Sequence, residues 1–340
     1  MRVSAVVSLK EHVWRSRAAA HAERVREVLG GMSPLEAAGA RENPITNFVF
    51  TYYWGFKPGD LTRWSPGAGV ELEVEDVAAS MRLLSRGKWR RTESGAVAVD
   101  FAGRFDDLNM DAIRHAYKTL VATSRRAPVW NCYGLHEWAM LYGDRPSSRF
   151  QKAMPFRVSP ATIAAVVEAP GALRCTHFDA YRFFAPSAQP LNEHPGLSRE
   201  SQPSHEQPGC VHAGMDLFKY ALRLAPFIRS ELVADALAVA VEARILDMRA
   251  SPYDLAAVFA TDNHLGVDPS PVAVETRGGR RQYARLQCEI AEKAAPVRRE
   301  LIRAYDRFLR ADDDDDDARS PEMGRLPRTI PGDETTTTTS

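Results

Sequence analysis

Apolar residues recur at helical spacing over most of this chain. Leu9, Val13, Ala20, Val25 and Leu29 mark an amphipathic helix over 9–29, which Gly30-Gly31 stops. Leu108, Ile113, Tyr117 and Leu120 share a face and predict a helix from about 106 to 124. The same reading predicts helices over 131–142, 160–167, 211–225, 230–249 and 280–310. Alternation of period two is confined to short stretches. Trp89 to Asp100 (WRRTESGAVAVD) reads as a hairpin turning near Ser94-Gly95, and 156–158 reads as a short strand. Leu173 to Phe184 (LRCTHFDAYRFF) reads as a strand or loop passing into a helix. The aromatic run Pro44 to Phe56 is either a stacking platform or, the preferred reading, core packing. The expected fold is mainly α: a helical core with a small β-hairpin or short sheet near 88–100 and 155–178.

Length and composition sharpen this picture. The 340 residues allow one large domain with an ample core, and 1–310 is read as a single globular helical domain. Residues 311–340 hold a run of six aspartates and a run of five threonines and are expected to form a disordered tail. The proline-rich stretch 185–209 is too long for an ordinary connection, so it is expected to be a functional loop or disordered. Lys and Arg total 44, as do Asp and Glu, which predicts no strong general attraction to nucleic acid. Cys132, Cys175, Cys210 and Cys288 form no CxxC pair and are expected as reduced thiols. No apolar run reaches the ~20 residues of a membrane span, and the N-terminus is a poor secretory signal. A soluble cytoplasmic protein with no membrane partner is expected; a nuclear or organelle location stays open.

Candidate chemistry concentrates between Trp130 and Asp254. On the helix VHAGMDLFKYALRL (211–224), His212, Asp216, Lys219 and Arg223 fall four, three and four residues apart and so form one stripe. Almost everything else on that helix is apolar, which marks it as buried. The stripe therefore faces a partner, a cavity or water, because an unpaired charge is too costly to bury. His136-Glu137, His177 with Asp179, and Glu206 stand in similarly apolar settings. Histidine with carboxylate is the ligand set of zinc and non-haem iron, so His136, His177, Glu206 and His212 are candidate metal ligands, with Glu137, Asp179 and Asp216 beside them. Each lone histidine is also compatible with a satisfied place in the core. Arg249 either holds a phosphate or carboxylate or pairs with Asp247 or Asp254, and Ser251 reads as an N-cap with Asp254 in the first turn. Walker, GxGxxG, GxSxG and HExxH motifs are absent.

Seven segments carry a resemblance: FTYY (50–53), RWSPGAGV (63–70), GLHEWAM (134–140), CTHFDAYRFF (175–184), EQPGCVHAGMDLFKYA (206–221), SELVAD (230–235) and LDMRASPYDL (246–255). They resemble bacterial proteins known as 3-methyladenine DNA glycosylases, of a kind without the helix-hairpin-helix glycine pattern. The resemblance covers most of 10–310. It implies base excision repair: hydrolysis of the N-glycosidic bond of an alkylated purine in damaged double-stranded DNA, with the base flipped out and no cofactor required. Under it Tyr133, Trp138, Phe178 and Tyr181 would stack on the base. Arg182, Lys219, Arg223 and Arg249 would meet phosphates, and Asp179 or Asp216 would orient water. The alternative is a metal-dependent oxidase or hydrolase with iron or zinc and a small-molecule substrate. Across the two readings the candidate catalytic residues are Asp179, Asp216, His212 and Glu137.

Overall fold

The structure, a computed structural model, describes residues 7–53, 56–87, 89–100, 108–143 and 154–319, with 311–319 as backbone only. The fold is mainly α with a minor sheet. Its heart is three helices: α10 (Val211–Leu224), α11 (Ser230–Ala250) and α13 (Arg277–Arg319), each packed on the other two. α11 is buried around most of its girth because its sequence is Ala-, Val- and Leu-rich on every side. α13 is tied to α10 where Tyr305 Oη donates to the Tyr220 carbonyl at 2.9 Å. Around this core pack α1 (Glu11–Val28), α3 (Pro44–Tyr52) and α5 (Met110–Ser124).

Local chemistry sets the helix starts. Ser33 and Glu36 form a reciprocal capping box at α2 (Pro34–Gly39). Asn43, Asn109 and Ser159 cap α3, α5 and α7 (Pro160–Glu168) by accepting from backbone N–H groups. Asp76 does the same for α4 (Val77–Leu83). A sheet of order β1-β2-β4-β3 lies at one side, built from Val7–Leu9, Val70–Leu72, Trp89–Arg91 (β3) and Val97–Val99 (β4). β1 and β2 run parallel, and the other pairings are antiparallel. Trp14, Trp64, Leu72, Leu84 and Val97 make a second, smaller core beneath it.

Several expectations are corrected. The hairpin at 89–99 forms, but no strand appears at 155–178. Phe156 makes only an isolated bridge to Tyr253, and the sheet's other strands come from the N-terminus and residue 70 onward. The helix expected over 131–142 shrinks to α6 (His136–Met140), because Tyr133 and Gly134 take left-handed φ of 49° and 67° just before it. Asp254, not Ser251, caps α12 (Leu255–Phe259); the Ser251 hydroxyl turns back to the Met248 carbonyl. Residues 185–209 are ordered, with a 3₁₀ turn at Gln189–Leu191 and the short helix α9 (Gln202–His205). Asn192 holds that segment by bonding the backbone of Cys175 and His194. The last helix continues through the aspartates to Arg319, and the rest of the predicted tail lies outside the described residues. Among the described residues, no helix is long and apolar enough to cross a membrane.

Candidate metal centre and the pocket beside it

Four segments deliver ionisable side chains to one interior place. The left-handed turn at Tyr133-Gly134 aims α6 so that His136 and Glu137 are buried. α11 presents Arg244 and Asp247 one turn apart, both buried. Arg244 Nη1 donates to Glu137 Oε1 at 3.1 Å and to Asp247 Oδ2, while its guanidinium lies 4.5 Å over the Phe48 ring. His136 Nε2 stands 3.1 Å from Asp247 Oδ1. From α10, His212 meets His136 edge-on, with centroids 4.3 Å apart, and stacks on His177 at 5.3 Å. The three imidazoles therefore form a continuous row.

Beyond His177 the row becomes an acid–base network. His177 Nδ1 lies 3.0 Å from Glu206 Oε2, and its Nε2 lies 3.6 Å from Asp216 Oδ2. Glu206 also accepts from Gln202 at 2.7 Å and from Thr123 at 3.3 Å. Lys219 bridges Asp216 and Asp179. Asp179, on the short helix α8 (Phe178–Tyr181), receives both Nη groups of Arg199, at 2.8 and 2.5 Å, and Arg182 Nε at 3.1 Å.

The environment sorts the charges. Burial, then the neighbouring His136, holds the pKa of His212 well below the ordinary imidazole value, so its ring is a neutral lone-pair donor. Burial acts the same way on His177, but Glu206, Asp216 and Asp179 outweigh it and raise its pKa. Burial opposes the charged form of Glu206, yet His177, Gln202 and Lys219 bring its carboxyl down to about 2. Asp179 and Asp247 are likewise desolvated, but Lys219 with Arg199, and His136 with Arg244, hold them below the usual carboxylate range. Burial pushes the Cys175 thiol up to about 12 and raises those of Cys132 and Cys210, which therefore stay protonated.

Three buried atoms of the cluster are poorly served. Asp247 Oδ1, His177 Nδ1 and Arg244 Nε lack an in-line hydrogen-bond partner, although His136 and Glu206 stand close to the first two. Two donors about 3 Å apart that do not aim at each other fit the edge of a coordination shell with ~2.1 Å bonds. Among the described residues two sets have ligand atoms within 4.8 Å of one another: His136, His212 and Asp247, and His177, Asp179 and Asp216. In the second set Lys219 and Arg199 already engage the acids, whereas in the first Arg244 engages Asp247 through Oδ2 and leaves Oδ1 towards His136. The first set offers two imidazoles and one carboxylate, the ligand type of non-haem iron and of zinc.

Two spaces adjoin the cluster. A narrow cavity of about 20 Å³, room for about one water, touches His136 and His212 and is otherwise lined by groups that include Cys132, Cys175 and Cys210. An open pocket of about 570 Å³ lies at the far end of the row, against Asp179, Lys219, Arg182, Arg199 and Arg223, with Tyr52, Tyr53 and Phe56 on its wall. A larger hollow of about 640 Å³, between the sheet and α13, holds none of the histidines or of the acids around them.

Of the residues singled out from sequence, His136, Glu137, His177, Asp179, Glu206, His212, Asp216 and Lys219 come together, and Arg182 and Arg223 join them at the pocket. The proposed stacking set does not assemble. Trp138 is buried with Nε1 bonded to the Ala250 carbonyl, and the Tyr181 hydroxyl accepts from Gly196 N. Tyr133 packs edge-on to Tyr283 under Arg280, and Phe178 lies beneath Arg199. Arg249 is engaged elsewhere, with Asp268 and the Ser270 carbonyl. Sequence reasoning missed Asp247 and Arg244, though both sit at i,i+3 amid Ala243, Ile245, Leu246 and Met248. It also missed Arg199; Tyr52 and Phe56 belong to the aromatic run 44–56, whose less favoured reading as a stacking platform is the one that fits the pocket wall. Comparison of the chain with family models, curated proteins and solved structures returned no match.

Proposed function

We propose that this protein is a metal-dependent enzyme, an oxidase or hydrolase, that holds one iron or zinc ion between His136, His212 and Asp247. The observation that carries this reading is the buried Asp247 Oδ1, 3.1 Å from His136 Nε2 without an in-line bond, beside an imidazole kept neutral. An ion there supplies a Lewis acid and an acidified water. The chain's own groups do the rest. Arg244 fixes Asp247 and Glu137, as partners of metal ligands commonly do. His177, set between Glu206 and Asp216, would take or give a proton within the network that Asp216 and Lys219 carry on to the open pocket.

Metal analysis of purified protein tests this reading. Near-stoichiometric iron or zinc is expected, with at least tenfold less retained in His136→Ala, His212→Ala and Asp247→Ala variants of unchanged circular dichroism. A metal content near zero after growth and reconstitution with either metal, or content unaffected by these changes, would overturn it.

A second reading, N-glycosidic hydrolysis of an alkylated purine in DNA, draws support from the aromatic and cationic wall beside Asp179 and Asp216. There Tyr52 would take the stacking role expected of Trp138 or Tyr181. Release of 3-methyladenine from alkylated DNA by metal-free protein, abolished in Asp216→Asn, is its signature.

A further inference from the structure

The open pocket has an unusual charge arrangement. Arg182, Arg199, Lys219 and Arg223 face it, and among the described residues Asp179 and, just behind, Asp216 oppose them. The pocket therefore carries two positive charges in excess. That excess is concentrated, because one carboxylate, Asp179, gathers three of the four cations around itself. Arg223 is steadied by the Ala112 carbonyl at 3.3 Å and by the Tyr220 ring. Two separated carboxylates would not match a positive charge focused at one point; a single doubly charged head does. Guanidinium groups suit the oxygens of such a head in number and geometry. The pocket also has an aromatic side: Tyr52 stacks on Phe48 at 4.8 Å with its hydroxyl beside Arg182, and Phe56 is braced edge-on by Phe218 at 5.9 Å. A volume of about 570 Å³ is that of a small-molecule site.

We infer that this pocket binds a phosphate monoester borne on a flat ring, with the phosphate among Arg182, Arg199, Lys219 and Arg223 and the ring against Tyr52 and Phe56. The inference deepens the enzyme reading by naming its substrate class, and it rests on that reading only for the link between pocket and histidines. Asp179 acts as an organiser of the cations rather than as a competitor for them. Lys219, shared between Asp179 and Asp216, joins the bound phosphate to the network that ends at His177.

Calorimetric titration of the full-length protein, with and without chelator, tests this with four probes: phenyl phosphate, phenyl sulfate, phenol and inorganic phosphate. Phenyl phosphate, a dianion near pH 7.5, is expected to bind at least tenfold more tightly than the singly charged sulfate, the neutral phenol or the ringless phosphate. Arg182→Gln and Arg223→Gln, both at partly exposed positions, are each expected to weaken it at least tenfold without lowering the Tm. Tyr52→Leu should erase its advantage over inorganic phosphate. Equal binding of phenyl sulfate or phenol, or full affinity in the Arg182→Gln/Arg223→Gln double variant, would overturn the inference. Binding that vanishes on chelation would also overturn it, placing the phosphate on the metal and leaving the enzyme reading intact. Binding by protein found to hold no metal would uphold the pocket and remove the metal centre.

Discussion

Arg244 is a buried cation with two carboxylates to serve, and with His136 it holds the Asp247 carboxyl below the usual range. Removing one member of such a group strands the others. Arg244→Met, close in size but uncharged, is expected to cost about 3–5 kcal/mol by urea denaturation of chelated protein. Added zinc should recover part of that loss, since a divalent ion at Asp247 replaces the missing charge. At this scale the sequence was legible where a polar residue interrupts a local apolar run, as at His136-Glu137, His177 and the stripe of α10. Asp247 and Arg244 obeyed the same rule. The more exposed Glu231, Asp235 and Glu242 on the same helix dilute the contrast. Tyr52 stands in a conspicuous aromatic run and Arg199 in a conspicuously long loop, but which residue of each serves the site is fixed only once α3 and the 185–209 segment meet α10.

Elements differ in how far their partners lie along the chain, and that distance decides what can be read in advance. The β3–β4 hairpin is local, and its alternation and Ser94-Gly95 turn suffice to find it. The β1–β2 pair joins residues 7–9 to 70–72 in parallel, a long-range pairing with three residues on each side and no periodic signature. What fixes it is Trp14 on α1, which stacks on Trp64 at 6.3 Å and donates from Nε1 to the Glu73 carbonyl at 2.8 Å. Trp64 in turn donates to Glu231 on α11 at 3.0 Å. Trp14→Ala is expected to destabilise the fold by about 3–5 kcal/mol, read from the urea midpoint. Metal content should be preserved, because this cluster is separate from the core that holds the histidines.

Taken whole, the molecule keeps a set of acids ionised inside a helical core, and its acid stability should show this. Glu206, Asp179 and Asp247 all have carboxyl pKa values depressed by folding. Depressed acids contribute stability that is complete above their unfolded values and drains as pH falls through the folded ones. For Glu206 that window runs from its ordinary 4.5 down to about 2. The Tm of the wild type is expected to drop steeply there, and its lead over Glu206→Gln, measured by calorimetry, should narrow towards the acid end. The ordering of 185–209 belongs to this scale too. Composition marked the segment as exceptional, but Arg199 on Asp179 and Asn192 on the Cys175 backbone, which hold it, are bonds no pattern reveals. One rod, α10, runs the length of the site, from His212 at the inner end to Arg223 at the mouth. Eleven residues of helix span about 16 Å. On the inference that the pocket seats a phosphate, the rod would be a spacer: it would hold the anion at the rim away from the imidazole row, with Lys219 and Asp216 as the charged link between the two ends.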